Sequence, residues 1–193
     1  MRLLLATRNA HKLREFARLA EGRAGAVSID PLPDGVELPP EDGVTFADNA
    51  LGKARAAAAA TGRIAIADDS GIEAVALGGR PGVRSARYAG EHASDEENLH
   101  KLLREAPAGS PLAYVCALAY VDPASGEERI FEERCTGTLA AAPRGERGFG
   151  YDPAFLPDDG VPDRTMAELS DAEKDAISHR GRAVRALLAW LPT

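Results

Sequence analysis

Two cysteines and the absence of a long apolar run are the scarce features of this 193-residue sequence. Cys116 and Cys135 lie far apart, form no CxxC pair and have no histidine at zinc-binding spacing. This pattern favours two small buried side chains in a reducing compartment over a metal site. The apolar run at residues 3–6 is too short for a signal sequence or a membrane-spanning helix, so we expect a cytoplasmic protein with no membrane partner.

The sequence also lacks an excess of basic residues, with 23 Lys and Arg against 30 Asp and Glu and a net charge of −7. Nucleic acids and anionic membranes bind basic surfaces, so no nucleic-acid partner is expected. A phosphate site would have to be built locally from a few basic side chains and backbone N–H groups. The hydrophobic share of 45% and the charged share of 27% are typical of a globular protein, and the length predicts a single domain, residues 1–193, with room for two lobes.

The familiar glycine-rich phosphate loops are absent, because neither Walker A nor GxGxxG follows the first predicted strand, residues 2–6. Instead, Asn9 is a typical N-cap, and Leu13 and Phe16 follow at helical spacing. The N-terminus of such a helix offers free N–H groups and a positive dipole to an anion, and Lys12 adds a charge. A capped surface helix without a ligand fits the same spacing, and this segment alone favours that interpretation.

A second helix is predicted to begin at the capping-box pattern Thr45-x-x-Asp48 and to end near residue 60. Asn49 and Lys53 are four residues apart and therefore share one face of this helix. Lysines at such positions are usually solvated. Lys53 therefore gains a functional interpretation only if its face is directed at Asp69.

Two adjacent carboxylates follow the apolar run at residues 64–67, which predicts a buried strand. Asp68 and Asp69 would then lie at the end of this strand, where open α/β sheets bind their ligands. Neighbouring carboxylates repel each other, so a counter-charge is needed there. A divalent cation is the usual one, and Mg²⁺ favours one or two carboxylates together with substrate phosphates.

The middle of the chain predicts a helix over residues 94–105 and an antiparallel hairpin of two β-rich segments, 112–121 and 128–139. The hairpin carries no obvious chemistry, which is compatible with a structural arm. After it, Phe149 and Tyr151 alternate with glycines, which let the backbone approach a planar group or a neighbouring strand. A glycine-rich turn with a buried Phe explains this pattern equally well.

The C-terminal segment opens with a capping-box pattern at residues 170–173. In one straight helix, Lys174 would not share a face with His179 and Arg180. A helix break at Ser178 would bring the three side chains together above a second helix N-terminus. Capping or surface roles for His179 and Arg180 are equally compatible with the spacing.

The sequence resembles the inosine triphosphate pyrophosphatase family, whose members hydrolyse non-standard purine nucleoside triphosphates such as dITP, ITP and XTP. The resemblance extends from residue 3 to about residue 188. The sequence departs from the family pattern at Glu146-Arg147, where members often have a small residue and glycine, and at Arg164, where members have lysine. It rests on the motifs Thr7-x-Asn9-x-x-Lys12, Thr45-Phe46-x-x-Asn49-Ala50-x-x-Lys53-Ala54, Ala67-Asp68-Asp69-Ser70-Gly71, Leu77-Gly78-Gly79-x-Pro81-Gly82-x-x-Ser85-Ala86-Arg87, Phe149-Gly150-Tyr151-Asp152-Pro153 and Ile177-Ser178-His179-Arg180.

This resemblance implies a role for each matching residue. Asp69 matches the catalytic carboxylate that also contacts Mg²⁺, and Glu41 matches a metal-associated acid. Lys53 matches a phosphate-facing lysine that we assign to catalysis with Asp69, and Ser70 matches a substrate contact. The remaining substrate-binding residues implied by the resemblance are Thr7, Arg8, Asn9, Ala10, His11 and Lys12 for the phosphate chain, and Phe149, Gly150, Tyr151, Asp152, Lys174, His179 and Arg180 for the purine.

The resemblance also implies an α/β fold, with an elongated mixed β-sheet, flanking helices and two lobes around a central cleft, in a homodimer. The expected activity is Mg²⁺-dependent hydrolysis of dITP, ITP or XTP to the monophosphate and pyrophosphate. One alternative is a related house-cleaning pyrophosphatase for other modified nucleotides. The other is a non-catalytic nucleotide-binding sensor.

Elementary chemistry supports the same expectation. An ionised Asp69 can accept a proton from an oriented water, and Lys12 and Lys53 can stabilise charge on the departing pyrophosphate. Donors such as Lys174 or Arg180 would favour the 6-oxo group of hypoxanthine or xanthine over the 6-amino group of adenine. We further expect the purine to stack on one of the two aromatic residues of the glycine-rich segment, Phe149 or Tyr151.

Overall fold

The computed structural model of the protein describes residues 1–21 and 27–192. These residues form two compact units. The first unit comprises the described residues within the ranges Met1–Asp69, Cys116–Glu133 and Arg180–Thr193, and the second comprises Ser70–Val115 and Arg134–His179. Among the helices of the described residues, none combines the length and apolar character that crossing a membrane requires.

The described residues form a mixed six-stranded sheet, five α-helices and short 3-10 helices, which confirms the predicted mixed α/β fold. The strands follow the order β2-β1-β3-β4-β5-β6; β1 is parallel to β2 and β3, whereas β5 and β6 are antiparallel. The strands are β1 Arg2–Leu5, β2 Ser28–Pro31, β3 Ala65–Ala74, β4 Pro111–Asp122, β5 Glu127–Leu139 and β6 Phe155–Pro157. The helices are α1 Ala10–Glu21, α2 Phe46–Thr61, α3 Asp95–Glu105, α4 Asp171–Ile177 and α5 His179–Trp190.

Local signals in the sequence explain most of these boundaries. The Thr45–Asp48 capping box opens α2, and Gly62, at a φ of 65°, ends it in the left-handed conformation that glycine adopts without strain. Ser94 opens α3 in the same way. The strands β4 and β5 are neighbours joined by a short turn, 123–126, which confirms the hairpin because only antiparallel strands can be joined so tightly.

The strand β3 differs from its prediction. It does not end at residue 67 but extends to Ala74, ten residues in all, so Asp68 and Asp69 lie in the middle of the strand rather than at its end. Polar residues are tolerated there because their side chains have ionic and hydrogen-bonding partners among the helices of the first unit. The apolar run that led to the prediction is only the first part of the strand.

Each unit has its own hydrophobic core. The core of the first unit includes Leu3, Leu5, Phe16, Ile66, Cys116, Leu118, Val184 and Leu187. That of the second includes Ile72, Leu99, Leu102, Tyr114, Cys135, Tyr151, Phe155, Met166 and Leu169. The two cysteines are buried and form no disulfide, as their spacing predicted.

The predicted helix break at Ser178 is confirmed. Ser178 has an extended conformation, with φ −64° and ψ 151°, and its N–H donates to the Lys174 carbonyl at 2.8 Å, which closes α4. The next helix, α5, begins at His179. Because the helix breaks at Ser178, helical periodicity does not relate the direction of the Lys174 side chain to those of His179 and Arg180.

Candidate functional site

Asp68 is the centre of a buried charge network in the first unit. Its Oδ1 lies 3.2 Å from the Lys12 ammonium, and its Oδ2 accepts hydrogen bonds from the Arg180 guanidinium at 3.0 and 3.3 Å. Arg180 also donates to Glu15, which lies on α1 one turn after Lys12. Two acids and two bases thus alternate across α1, β3 and α5.

These cations determine the ionisation of Asp68. Burial raises the pKa of this carboxyl, but the charges of Lys12, Arg180 and Lys53 outweigh burial and hold the pKa well below its ordinary value. The counter-charge that the sequence assigned to a divalent cation is therefore supplied to Asp68 by protein side chains. This leaves Asp69, and not the Asp68–Asp69 pair, as the candidate metal ligand on β3.

Asp69 faces the first two turns of α2. Its Oδ2 accepts a hydrogen bond from Asn49 Nδ2 at 2.8 Å, and the Asn49 Oδ1 accepts one from the Gly43 N–H at 2.8 Å. Lys53, one turn further along α2, donates to the Asp68 carbonyl at 2.8 Å and to the Glu41 carboxylate. The face shared by Asn49 and Lys53 is therefore directed at Asp69, which was the condition for a functional Lys53.

The surroundings of Asp69 fit a divalent cation. Burial is the main cause that raises the pKa of Asp69, and the Glu41 carboxylate raises it further, against the lowering effects of Lys53, Asn49 and Lys12. The described residues contain no cluster of three or more His, Cys, Asp or Glu side chains that could hold a metal. Two carboxylates near each other match the ligands that Mg²⁺ takes from a protein when phosphates and water supply the rest.

The N-terminus of α1 is capped by its own side chains. Asn9 Oδ1 accepts from the N–H groups of His11 and Lys12 at 2.9 and 3.2 Å, and Thr7 Oγ1 accepts from the Asn9 N–H at 3.2 Å. The predicted N-cap is confirmed. The sequence suggested that these N–H groups would be free to bind an anion, but they donate to Asn9 instead. The contribution of α1 to the charge cluster around Asp68 therefore comes mainly from the Lys12 side chain.

Arg8, another residue of this segment, bonds mainly to backbone, and the exposed Asp34 carboxylate lies 3.9 Å from its guanidinium. Its guanidinium donates to the carbonyls of Leu32, Pro33 and Val36 at 2.8 to 3.0 Å. These bonds tie the segment after β1 to the loop that follows β2. Ala10, the remaining residue of the predicted phosphate segment, is the first residue of α1.

A second cluster, in the second unit, is organised around Asp152. Its Oδ2 accepts from the Lys174 ammonium at 2.7 Å and from the Phe149 N–H at 3.0 Å, and its Oδ1 accepts from the Tyr114 hydroxyl at 3.0 Å. Lys174 also lies 5.2 Å from the centroid of the Phe149 ring. Because Asp152 and Lys174 are both buried, this ion pair is strongly oriented and not a loose surface contact.

The turn before Asp152 requires glycine. A Cβ on Gly148, which has a φ of 73°, would lie 2.0 Å from Asp152 Oδ2. The N–H of Gly150 donates to Asp95 at 2.8 Å. Glycine at these positions therefore allows the backbone to approach Asp152 and to present Phe149 at its edge.

The two candidate stacking residues, Phe149 and Tyr151, differ in how deeply they are buried. Tyr151 belongs to the hydrophobic core, and its hydroxyl donates to the Ser85 carbonyl at 2.8 Å. Phe149 is only partly buried. Phe149 is therefore the more exposed of the two candidate stacking residues.

His179 and Arg180 bond to different partners. The His179 ring stacks on Tyr114, with centroids 4.7 Å apart and planes within 10°. Arg180 bonds instead to Asp68 and Glu15. The Arg180 guanidinium is thus engaged by two buried acids, and the assignment of Lys174, His179 and Arg180 to the purine stays a prediction.

Three residues of these clusters carried no assigned role in the sequence. Glu15 and Tyr114 contribute a carboxylate and a hydroxyl, and Asn49 bonds directly to Asp69. Only Asn49 had a usable signal, since its spacing from Lys53 places both on one face. Ser70, expected to contact substrate, follows Asp69 in β3 and is partly exposed.

Comparison with known proteins gives consistent matches over the whole chain. The family model described as the Ham1 family matches residues 3–190. A dITP/XTP pyrophosphatase of Frankia alni is 49% identical over 200 residues, covering 99% of this chain and 97% of that protein. One from Mycolicibacterium paratuberculosis is 50% identical, covering 99% of this chain and 96% of that protein.

Solved structures give the same result. The structure of a HAM1 protein from Coxiella burnetii has a TM-score of 0.85 and 38% identity, covering 98% of this chain and 97% of its own. A Mycobacterium abscessus structure titled nucleoside-triphosphatase / dITP/XTP pyrophosphatase has a TM-score of 0.72 and 44% identity, with both chains fully covered. Sequence and structure therefore point to one group of proteins.

Proposed function

Because the chain belongs to the Ham1 family, we propose that it hydrolyses non-standard purine nucleoside triphosphates, such as dITP, ITP and XTP, to the monophosphate and pyrophosphate. The observation that carries the proposal is the arrangement around β3 in the first unit. A buried carboxylate, Asp69, lies beside Glu41, in a region where Lys12 and Lys53 supply positive charge. A site that only binds an anion has little use for a buried acid at this position.

The triphosphate is assigned to the lysines of the first unit. Lys12 and Lys53 counter the negative charge of the phosphate chain and of the pyrophosphate as it departs. Both are largely buried and are held by acceptors on β3, so little side-chain freedom is lost when phosphate arrives.

Asp69 is assigned as the general base. Its ionised carboxylate accepts a proton from a water that attacks the α-phosphorus, and the bond to pyrophosphate breaks. Asp69 and Glu41 would hold Mg²⁺, which, when bound, supplies positive charge to the phosphate oxygens and lowers the pKa of water. The Asn49 hydrogen bond keeps Asp69 oriented.

The base is assigned to the cluster around Asp152. Phe149 offers a partly exposed ring for stacking, and Lys174 beside it offers a donor to a 6-oxo group. A 6-amino group would face that donor with a donor of its own, and a buried mismatch of this kind costs roughly 1–3 kcal/mol. In this scheme the Lys174 donor is sufficient to favour ITP over ATP, and the Arg180 guanidinium, which bonds to Asp68 and Glu15, is not required for it.

Pyrophosphate release from a panel of ITP, dITP, XTP, GTP and ATP with Mg²⁺ tests the proposal. We expect the first three to have higher kcat/KM than ATP. Turnover restricted to modified pyrimidine nucleotides would favour the alternative house-cleaning pyrophosphatase. Binding of ITP without pyrophosphate release would favour the nucleotide sensor.

Three further features belong to the same proposal. The first is dependence on Mg²⁺, the second is assembly as a homodimer, and the third is that residues 1–193 act as one functional domain. The proposed location is the cytoplasm. Activity with and without a chelator tests the first. Light scattering coupled to size-exclusion chromatography tests the second, and expression of the separate units tests the third.

A further inference from the structure

Asn49 occupies a position where asparagine is a poor choice for the helix alone. It is the fourth residue of α2, it is 5% exposed, and asparagine has a low helix propensity because its side chain competes for backbone hydrogen bonds. Here the side chain bonds outside the helix at both ends, to the Gly43 N–H and to Asp69, each at 2.8 Å. The residue therefore acts as a bridge.

The orientation of this bridge is fixed by its partners. A backbone N–H can only donate, so the oxygen of the Asn49 amide must face Gly43. The NH₂ group then has to face Asp69, where an ionised carboxylate can only accept. Rotating the amide by half a turn would place like groups against each other at both ends.

Gly43 allows the bridge to be this short. A Cβ at Gly43 would lie 2.6 Å from Asn49 Oδ1 and 2.9 Å from the Asp48 Cβ. Any other residue would therefore displace the Asn49 amide or the loop itself. The variant Gly43→Ala thus perturbs the bridge without altering a residue that contacts Asp69.

Lys53 forms a parallel bridge one helical turn away. It joins Glu41 of the same loop to the Asp68 carbonyl of β3, as Asn49 joins Gly43 to Asp69. The difference lies in the charge. The charged Lys53 can exchange its acceptors for phosphate. The neutral Asn49 can only hold its two hydrogen-bond partners, Gly43 and Asp69, in a fixed orientation.

We propose that Asn49 is a positioning residue, which through the Gly43–Asn49–Asp69 bridge holds the Asp69 carboxylate in the orientation needed for the divalent cation and for the attacking water. The role rests on the proposed function. It concerns the orientation of Asp69 alone, since Asn49 is assigned no contact with the nucleotide.

The chain offers a closely matched control. Asn98 is likewise the fourth residue of a capped helix, α3, is 1% exposed, and bridges a loop through both ends of its amide. Its partners are the Ala89 N–H at 2.7 Å and the Ala86 carbonyl at 3.1 Å, and no carboxylate is involved. Loss of either asparagine therefore removes a buried bridge, but only one of the two bridges ends on Asp69.

The test compares Asn49→Ala, Gly43→Ala and Asn98→Ala with the wild type. For Asn49→Ala we expect the affinity for Mn²⁺, measured by electron paramagnetic resonance of the free ion, to fall about tenfold or more. We expect kcat for ITP with saturating Mg²⁺ to fall by about 10- to 100-fold, while KM changes less than about threefold. Gly43→Ala should shift both quantities in the same direction, and Asn98→Ala should lower the melting temperature while leaving both unchanged.

The proposal is overturned if Asn49→Ala keeps Mn²⁺ affinity and kcat within about threefold of the wild type, or if it changes them no more than Asn98→Ala does. A wild type that releases no pyrophosphate from ITP would overturn the proposed function. In that case the Mn²⁺ titration still decides whether Asn49 positions Asp69.

Discussion

The two clusters use buried charge in opposite ways. The first unit brings together Lys12, Lys53, Arg180 and the acids facing them, so that Asp68 is surrounded by three cations and Arg180 faces two acids. The second unit contains the buried ion pair Asp152–Lys174, which lies beside aromatic rings. One arrangement suits a highly charged ligand and the other a planar, mostly apolar one.

The comparison also separates charges that support the fold from charges that are left for a ligand. Arg180 is 2% exposed, and its partners Asp68 and Glu15 are buried too, so this network serves to hold α1, β3 and α5 together. Lys12 and Lys53 lie at its edge. In the second unit, Asp152 accepts from the Tyr114 hydroxyl and the Phe149 N–H as well as from Lys174, so neutral donors share in stabilising its charge.

Replacing Asp69 with Asn should have the largest effect on the first cluster. The variant keeps the size of the side chain but removes the group that accepts the proton, so we expect kcat for ITP to fall about 10³- to 10⁴-fold. Stability should be retained, because burial raises the pKa of Asp69 and the neutral amide avoids that desolvation cost. Pyrophosphate release and thermal unfolding measure the two effects, and near-normal turnover would remove Asp69 from the mechanism.

Arg180→Met should mainly lower stability. It leaves Glu15 and Asp68 buried without their shared cation, and breaking a buried pair in this way costs about 3–5 kcal/mol. Urea unfolding gives the change in free energy. Arg2→Met is the matched control, since the exposed Arg2–Asp30 pair, with Arg2 74% exposed, should contribute at most about 1 kcal/mol. Equal losses in the two variants would show that the Arg180 network is not the structural part of the cluster.

Lys174→Met should change selectivity in the second cluster. Without the ammonium beside Phe149, a 6-oxo group loses its donor, and the preference for ITP over ATP in kcat/KM should fall roughly tenfold. Lys101→Met is the control, because Lys101 bonds to the Tyr88 carbonyl and lies over the Tyr88 ring rather than the Phe149 ring. An unchanged preference in Lys174→Met would mean that another group recognises the base.

The smallest effect is expected at the cap of α4, the helix that carries Lys174. The N–H and hydroxyl of Ser170, with Arg164, lower the pKa of Glu173 to about 2 from an ordinary value of 4.5. A lowered carboxyl pKa contributes stability that is present above pH 4.5 and is lost as the pH falls toward 2. Glu173→Gln should therefore be less stable than the wild type at pH 7, and the difference should shrink on acidification. Melting temperatures of both proteins across this range provide the measurement, and a constant difference would contradict the assignment.

Several elements could be predicted because their signals are local. The capping boxes at Thr45, Ser94 and Ser170 fixed the starts of three helices, and the cap at Asn9 fixed a fourth. The break at Ser178 also followed from spacing and capping chemistry. Hydrogen bonds of this kind join residues within one helical turn, so they form in much the same way whatever the tertiary structure around them.

The partners of the charged groups could not be predicted in the same way. The length of β3 was underestimated because two adjacent acids are unusual in a buried strand. The strand sequence alone does not show that Lys12 of α1 and Arg180 of α5 supply the opposite charge to Asp68. Arg180 was assigned to the purine by its match to a family motif, and a motif carries no information on the residue's partners in space. Asp68 and Glu15 are 112 and 165 residues away from it.

The sequence by itself determined the mixed α/β class, the helix boundaries and the group of residues from which a phosphate site could be built. Only the tertiary structure decided which acids are neutralised by protein cations and which one, Asp69, is left beside Glu41. The physical reason is range. Capping and periodicity act over one or two turns, whereas ionisation depends on every charge within several ångströms, and those charges come from distant parts of the chain.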